Sequence, residues 1–108
     1  MSENQRYIEL HSSLRFLVIT GSDDDFFYFS TALKKLGFNN FQHLPVTLSA
    51  VEYIKVKKPE FIFCQYDMED MNGLELMEEL ANRLDIARIP FVIFSSEADD
   101  GDMALMKE

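Results

Sequence analysis

The residues fit for chemistry are few, and their order along the chain limits what they can do. An apolar run, Phe61-Ile62-Phe63-Cys64, leads onto Gln65, then through Tyr66 and Asp67 into a loop that closes on Asn72-Gly73. Gln65 stands where a strand of this kind is expected to present its working group, and it carries an uncharged amide. A carboxylate at that place can act as a nucleophile; an amide is not one. Gln65 therefore points away from an enzyme-like switch and towards a binding module. Asp67, just beyond it, places a carboxylate in the loop. Backbone amides at a helix start bind anions, and Thr20-Gly21-Ser22 leads into such a start. The three aspartates that follow, Asp23, Asp24 and Asp25, would repel a phosphate and suit the positive end of a helix dipole instead. Ser95-Ser96 offers hydroxyls at the end of another apolar run. Cys64 is the only cysteine, so no intrachain disulfide forms, and inside an apolar strand it reads as a small buried hydrophobe. His11 and His43 have no second histidine near them in sequence and make no ligand set or nucleophile–base pair.

These groups must be positioned by one small domain. The chain has 108 residues, 47% of them hydrophobic and 27% charged, which suits a globular protein with a single core. Ten Phe and four Tyr with no Trp predict a core packed on aromatic rings. The net charge is −9, and it is uneven. Residues 1–60 carry seven acids and seven bases, whereas residues 61–108 carry twelve acids and three bases. Such a chain has no electrostatic case for binding nucleic acid or an anionic membrane. No apolar run has the length of a membrane span and no secretion signal is visible, so a cytoplasmic location is expected.

Residues 1–13 read as a polar tail. Leu14–Ile19 is a first strand, and Ser22 or Asp23 caps a helix whose inner face is Phe26, Phe29, Leu33 and Leu36, stopped by Gly37. Phe41–Leu44 is a second strand. Thr47 or Ser49 caps a second helix, which ends before Pro59. Phe61–Cys64 is a third strand, and a third helix runs from Leu74 to about Leu84 with Leu74, Met77, Leu80, Ala81 and Leu84 inward. Ile89–Phe94 is a fourth strand, and Asp102–Glu108 looks like the start of a fourth helix. Of the methionines, Met68, Met71 and Met77 read as core filling, while Met103 and Met106 could form an adaptable surface. Continuous apolar strands alternating with amphipathic helices predict an α/β fold, a parallel sheet covered on both faces. Chemistry in such sheets sits at the carboxyl ends of the strands, here Thr20-Gly21, Gln65-Tyr66-Asp67 and Ser95-Ser96.

On these residues the chain resembles the receiver domain of two-component response regulators, the CheY-like fold. Arg15-Phe16-Leu17-Val18-Ile19 resembles that family's first strand, and Lys35-Leu36-Gly37-Phe38 the end of its first helix. Met68-Glu69-Asp70-Met71-Asn72-Gly73-Leu74-Glu75-Leu76 resembles its M-P-x-M-D-G-L-E-L signature, the most specific match. Ile89-Pro90-Phe91-Val92-Ile93-Phe94-Ser95-Ser96 resembles its P-V-I-x-x-T/S-A strand. The resemblance covers residues 14–108 and implies a flavodoxin-like three-layer sandwich, with four strands in this chain and the family's last strand and helix missing. It implies that Gln65 occupies the phosphoacceptor position, and that Thr20 and Gly21 occupy the places of the acidic pair that holds Mg²⁺. Ser95 keeps the switch hydroxyl, and Asp67 falls where a backbone carbonyl faces the metal. The family's lysine at the end of a fifth strand has no counterpart.

The expectation is therefore a non-phosphorylatable pseudo-receiver, without catalytic activity or cofactor, that binds a protein partner in bacterial two-component-type signalling. The alternatives are a phosphoacceptor that uses Mg²⁺ and a displaced aspartate, Asp67 or one of Asp23–Asp25, or a dimerisation fragment of a larger regulator. With four strands, the fourth would be an open edge, so a homodimer covering it is expected.

Overall fold

The computed structural model describes residues 13–83, 86–96 and 103–107. Strand β1 is Arg15–Ile19, β2 Asn40–Leu44, β3 Phe61–Gln65, β4 Phe91–Ser96 and β5 Met103–Lys107; helix α1 is Asp23–Lys35, α2 Ala50–Lys57 and α3 Gly73–Ala81. The sheet order is β2-β1-β3-β4-β5. The first four strands are parallel, as the unbroken apolar runs in β1, β3 and β4 predict.

Strand alternation splits the core into two. Leu17, Ile19, Ile62 and Cys64 face the side of α2 and α3, where Ala50, Ile54, Leu76 and Leu80 cover them. Val18 and Phe94 face the other side, where Phe29 of α1 packs on them with Phe26 and Phe63 around. The expected aromatic core is this second layer, with Phe29 lying 4.7 Å from both Phe63 and Phe94 between ring centroids.

Helix α1 is set by its ends. The Ser22 hydroxyl accepts from the Asp25 N–H at 3.2 Å, three aspartates fill the first turn, and Lys34 and Lys35 the last, all in the sense that complements the dipole. At the far end Gly37 has φ 95°, the Phe38 N–H donates to Leu33 at 2.9 Å and the Gly37 N–H to Lys34 at 3.0 Å, a Schellman closure. Phe29 and Leu33 are buried as expected, whereas Leu36, expected on the inner face, is the C-cap beyond the last helical residue and is exposed.

Three further expectations need correction. On α3 the buried residues are Gly73, Leu76 and Leu80, while Leu74 is exposed and Ala81 faces solvent. The helix starts one residue earlier than the apolar pattern suggests, at Gly73 after an Asn72 cap, and that start fixes which face turns inward. Leu84 lies outside the described residues. Second, α2 has no side-chain cap from Ser49, and Thr47 serves it differently, as described below.

Third, of the segment 102–108 expected to begin a helix, the described residues Met103–Lys107 form a strand, antiparallel to β4. A parallel return needs a crossover of about a dozen residues or more, and only residues 97–102 separate the two strands. The edge of β4, expected to be open, is paired by β5 over Val92–Ser96. A homodimer is therefore not required to cover it. Among the described residues, no helix is long and apolar enough to cross a membrane.

Candidate functional site

The strand order reverses at β1 and β3, since the chain goes from β1 outward to β2 and then crosses back to β3 on the other side. Crevices at the carboxyl ends of strands form at such a point. Thr20 and Gly21 leave β1 there and Gln65 ends β3, so the fold brings the three together.

Their geometry is a closed hydrogen-bond circuit. The Gln65 Oε1 atom accepts from the Thr20 hydroxyl at 2.7 Å and from the Gly21 N–H at 3.1 Å. The Gln65 Nε2 donates to the Asp67 carbonyl at 3.2 Å. Thr20 is fully buried, and its hydroxyl oxygen also accepts from the Ser22 N–H at 3.1 Å. Its own N–H donates to Leu44 at 3.1 Å, and its carbonyl accepts from His43 Nε2–H at 2.7 Å. His43 lies flat on Phe26, 4.6 Å between centroids. Every polar atom of the Thr20 side chain and main chain is thereby engaged, and Gln65 ties the ends of β1 and β3 to the loop beyond.

Helix α3 abuts this circuit. The Gly73 N–H donates to the Tyr66 carbonyl at 3.0 Å, and a Cβ at Gly73 would lie 2.8 Å from the Gln65 carbonyl oxygen and 3.4 Å from Cys64 Sγ. Glycine is required by that approach of helix start to strand end. Asn72 caps the helix with a reciprocal pair, its side chain accepting from the Glu75 N–H at 2.8 Å and Glu75 accepting from the Asn72 N–H at 3.1 Å.

Sequence reasoning missed the second cluster. The Asp70 carboxylate accepts from the Thr47 N–H at 2.9 Å, the Leu48 N–H at 2.8 Å and the Thr47 hydroxyl at 2.5 Å. The Met71 carbonyl, 2.7 Å away, is a second acceptor for that hydroxyl, whose oxygen accepts from the Met71 N–H at 3.0 Å. Asp70 thus satisfies main-chain donors ahead of α2 that Ser49 leaves alone, and it joins the β2–α2 connection to the β3–α3 loop. Desolvation works to raise its pKa, but the Thr47 hydroxyl and the N–H groups of Leu48, Met71 and Thr47 outweigh it and hold the carboxyl well below the usual carboxylate range. The signal available in the sequence was only an acid in a signature loop; its partner 23 positions earlier is a product of the fold.

Between the two loops lies a cleft of about 650 Å³, bordered by Gly21, Ser22 and Gln65 at its floor. Asp67 lies on it, but Asp23, Asp24 and Asp25 do not. Asp23 and Asp24 are exposed on α1 and Asp25 is buried, its N–H bonded to Ser22. Ser95 is half-buried in β4, one residue beyond Phe94, the register partner of Gln65. Cys64 is buried, and that burial, with the Asp70 charge adding to it, pushes its thiol up to about 12, so it is no nucleophile.

The model of the response regulator receiver domain family matches residues 9–107. Solved structures with the same fold include a signal receiver domain of a signal transduction histidine kinase from Syntrophus aciditrophicus, with 20% identity, TM-score 0.72, and coverage of 82% of this chain and 66% of that one. The N-terminal domain of a response regulator receiver protein from Methanoculleus marisnigri JR1 matches with 20% identity and TM-score 0.69 over 77% and 67%. A chemotaxis response regulator of Vibrio cholerae matches with 15% identity and TM-score 0.70 over 80% and 71%. This chain spans about two thirds of the length of these chains. The likeness gives the fold, the CheY-like three-layer sandwich.

Proposed function

The chain belongs to the response regulator receiver domain family of two-component signalling, and from that premise we propose that it is a pseudo-receiver, which signals through protein contacts and takes up no phosphoryl group. The observation that supports this most is the state of Gln65. At the phosphoacceptor position implied by the resemblance, its amide is bound at both ends, to Thr20 and Gly21 through oxygen and to Asp67 through nitrogen. Nothing at that point can attack phosphorus.

The donor set also fails to suit Mg²⁺, which needs several oxygen ligands, carboxylates among them. The two places after β1 supply a hydroxyl already bound to Gln65 and a glycine with no side chain. Among the described residues, no group of three His, Cys, Asp or Glu could hold a metal ion. The domain performs no catalytic step, and its partner is another signalling protein.

The test is incubation with acetyl phosphate, or beryllofluoride, in the presence of Mg²⁺. Neither stoichiometric modification nor tight Mg²⁺-dependent binding is expected, and either one overturns the reading. One observation favours the rival: Asp67 is exposed and lies on the cleft. Phosphoryl labelling that disappears in Asp67→Asn, with Gln65 untouched, establishes Asp67 as a displaced acceptor.

A further inference from the structure

The cleft above Gln65 has two chemically different walls. One is the β2–α2 connection, with Pro45, Val46 and Leu48; Val46 is 43% and Leu48 70% exposed, large aliphatic side chains held in water. The other is the β3–α3 loop, with the exposed carboxylates Asp67 and Glu69. Among the described residues, neither of these carboxylates has a hydrogen-bond or salt-bridge partner, and no Lys, Arg or His lines the cleft. The walls are joined to each other by Asp70, which accepts from the N–H groups of Thr47 and of the exposed Leu48 itself. The apolar wall is thus presented in a fixed position, which reduces the ordering a guest must bring about.

We propose that this cleft docks a segment of another protein in which a Lys or Arg side chain stands next to an apolar one, the cation between Asp67 and Glu69 and the apolar group on Val46 and Leu48. The proposal rests on the reading of the domain as an interaction module and names the partner's chemistry. Charge complementarity selects this guest. An acidic peptide or an anionic membrane meets two carboxylates with no base beside them. A second copy of this chain is disfavoured by its net charge of −9. A wholly apolar segment would leave Asp67 and Glu69 desolvated and unpaired.

The experiment titrates the isotope-labelled chain with a short synthetic peptide of alternating Leu and Arg, read by amide chemical shifts. Saturable shifts are expected at Val46, Leu48, Asp67 and Glu69. Affinity should fall about ten-fold or more in Leu48→Ser and in Glu69→Lys, as for central contacts of an interface. Both positions are exposed, and an unchanged spectrum elsewhere shows that the variants fold. A Leu/Glu peptide should not bind, and a Ser/Arg peptide should bind more weakly. Absence of saturable shifts at these residues, indifference to both substitutions, or equal binding of either control peptide overturns the proposal. None of those outcomes bears on phosphorylation, whereas phosphoryl labelling of the unaltered chain removes the pseudo-receiver reading whatever the peptides do.

Discussion

The Thr20 hydroxyl donates to the Gln65 amide oxygen at 2.7 Å, joining the ends of β1 and β3 at the point where the strand order reverses. Thr20 is fully buried and Gln65 half-buried, so the bond is partly shielded from water, and the same oxygen accepts the Ser22 N–H ahead of α1. Thr20→Val keeps the shape and removes the hydroxyl. It leaves the Ser22 N–H without this acceptor and the Gln65 Oε1 with the Gly21 N–H as its remaining donor, while Nε2 keeps the Asp67 carbonyl. A loss of about 1–3 kcal/mol is expected, the cost of buried polar groups left unsatisfied. Thr20→Ser, which restores the hydroxyl, should recover most of it. Urea unfolding of the three proteins decides; equal midpoints for Val and Thr would show the bond to be unimportant.

Gln65→Asp, alone, should not create a phosphoacceptor. It supplies the carboxylate but no acidic pair, because Thr20 and Gly21 still follow β1. The shorter side chain also gives up the Nε2 bond to the Asp67 carbonyl. Radiolabelled acetyl phosphate with Mg²⁺ should leave the variant unlabelled, and stable labelling would show that the scaffold alone suffices.

Gly73→Ala should destabilise the domain markedly. Its added carbon would lie 2.8 Å from the main-chain oxygen of Gln65, which cannot swing aside as a side chain does. Overpacking of this kind costs about 1–3 kcal/mol. Thermal unfolding followed by circular dichroism should show a lower midpoint, while Gly21→Ala, where a Cβ meets nothing within 4 Å, should be much milder.

Cys64 should resist thiol reagents at pH 8 in the folded protein and react fully once unfolded in urea. Its thiol is pushed up to about 12 by burial, with Asp70 adding to that, and it lies under α3. Fast native labelling would show that the β3–α3 junction opens readily.

The parts of the fold that were legible in the sequence are those set by local pattern. Apolar runs at Leu17–Ile19, Ile62–Cys64 and Val92–Phe94 gave the parallel strands, and Ser22 with Gly37 gave both ends of α1. The meeting of Thr20, Gly21 and Gln65 was legible too, because the carboxyl ends of parallel strands converge wherever the order reverses. Less legible was anything decided by a long-range partner or a connection length. Leu76 rather than Leu74 turns inward because the Asn72 cap sets where α3 begins. Met103–Lys107 pairs with β4 in the antiparallel sense because residues 97–102 are too few for a crossover, which no property of the strand itself announces. Asp70 looks like one more loop acid until the fold places Thr47 and Leu48 against it.

Asp70 makes stability depend on pH in a defined direction. Its folded pKa lies below the ordinary carboxylate value, since the desolvation that would raise it is outweighed by the Thr47 hydroxyl and the N–H groups around it. The unfolded chain therefore takes up a proton first as pH falls. The stability that Asp70 contributes is fully present above about pH 4, the unfolded value, and is lost progressively on acidification below it. Because the carboxylate is exposed, screening by water limits the effect, and the main contribution is the main-chain donors it satisfies. Asp70→Ala should cost about 0.5–2 kcal/mol at neutral pH, the range for losing a helix cap. The gap between Asp70→Ala and the unaltered protein should narrow as pH drops below about 4 and the unaltered carboxyl becomes neutral. Denaturant midpoints measured across that range test both statements. A gap that stays constant down to low pH would mean that Asp70 acts through shape and not through its charge.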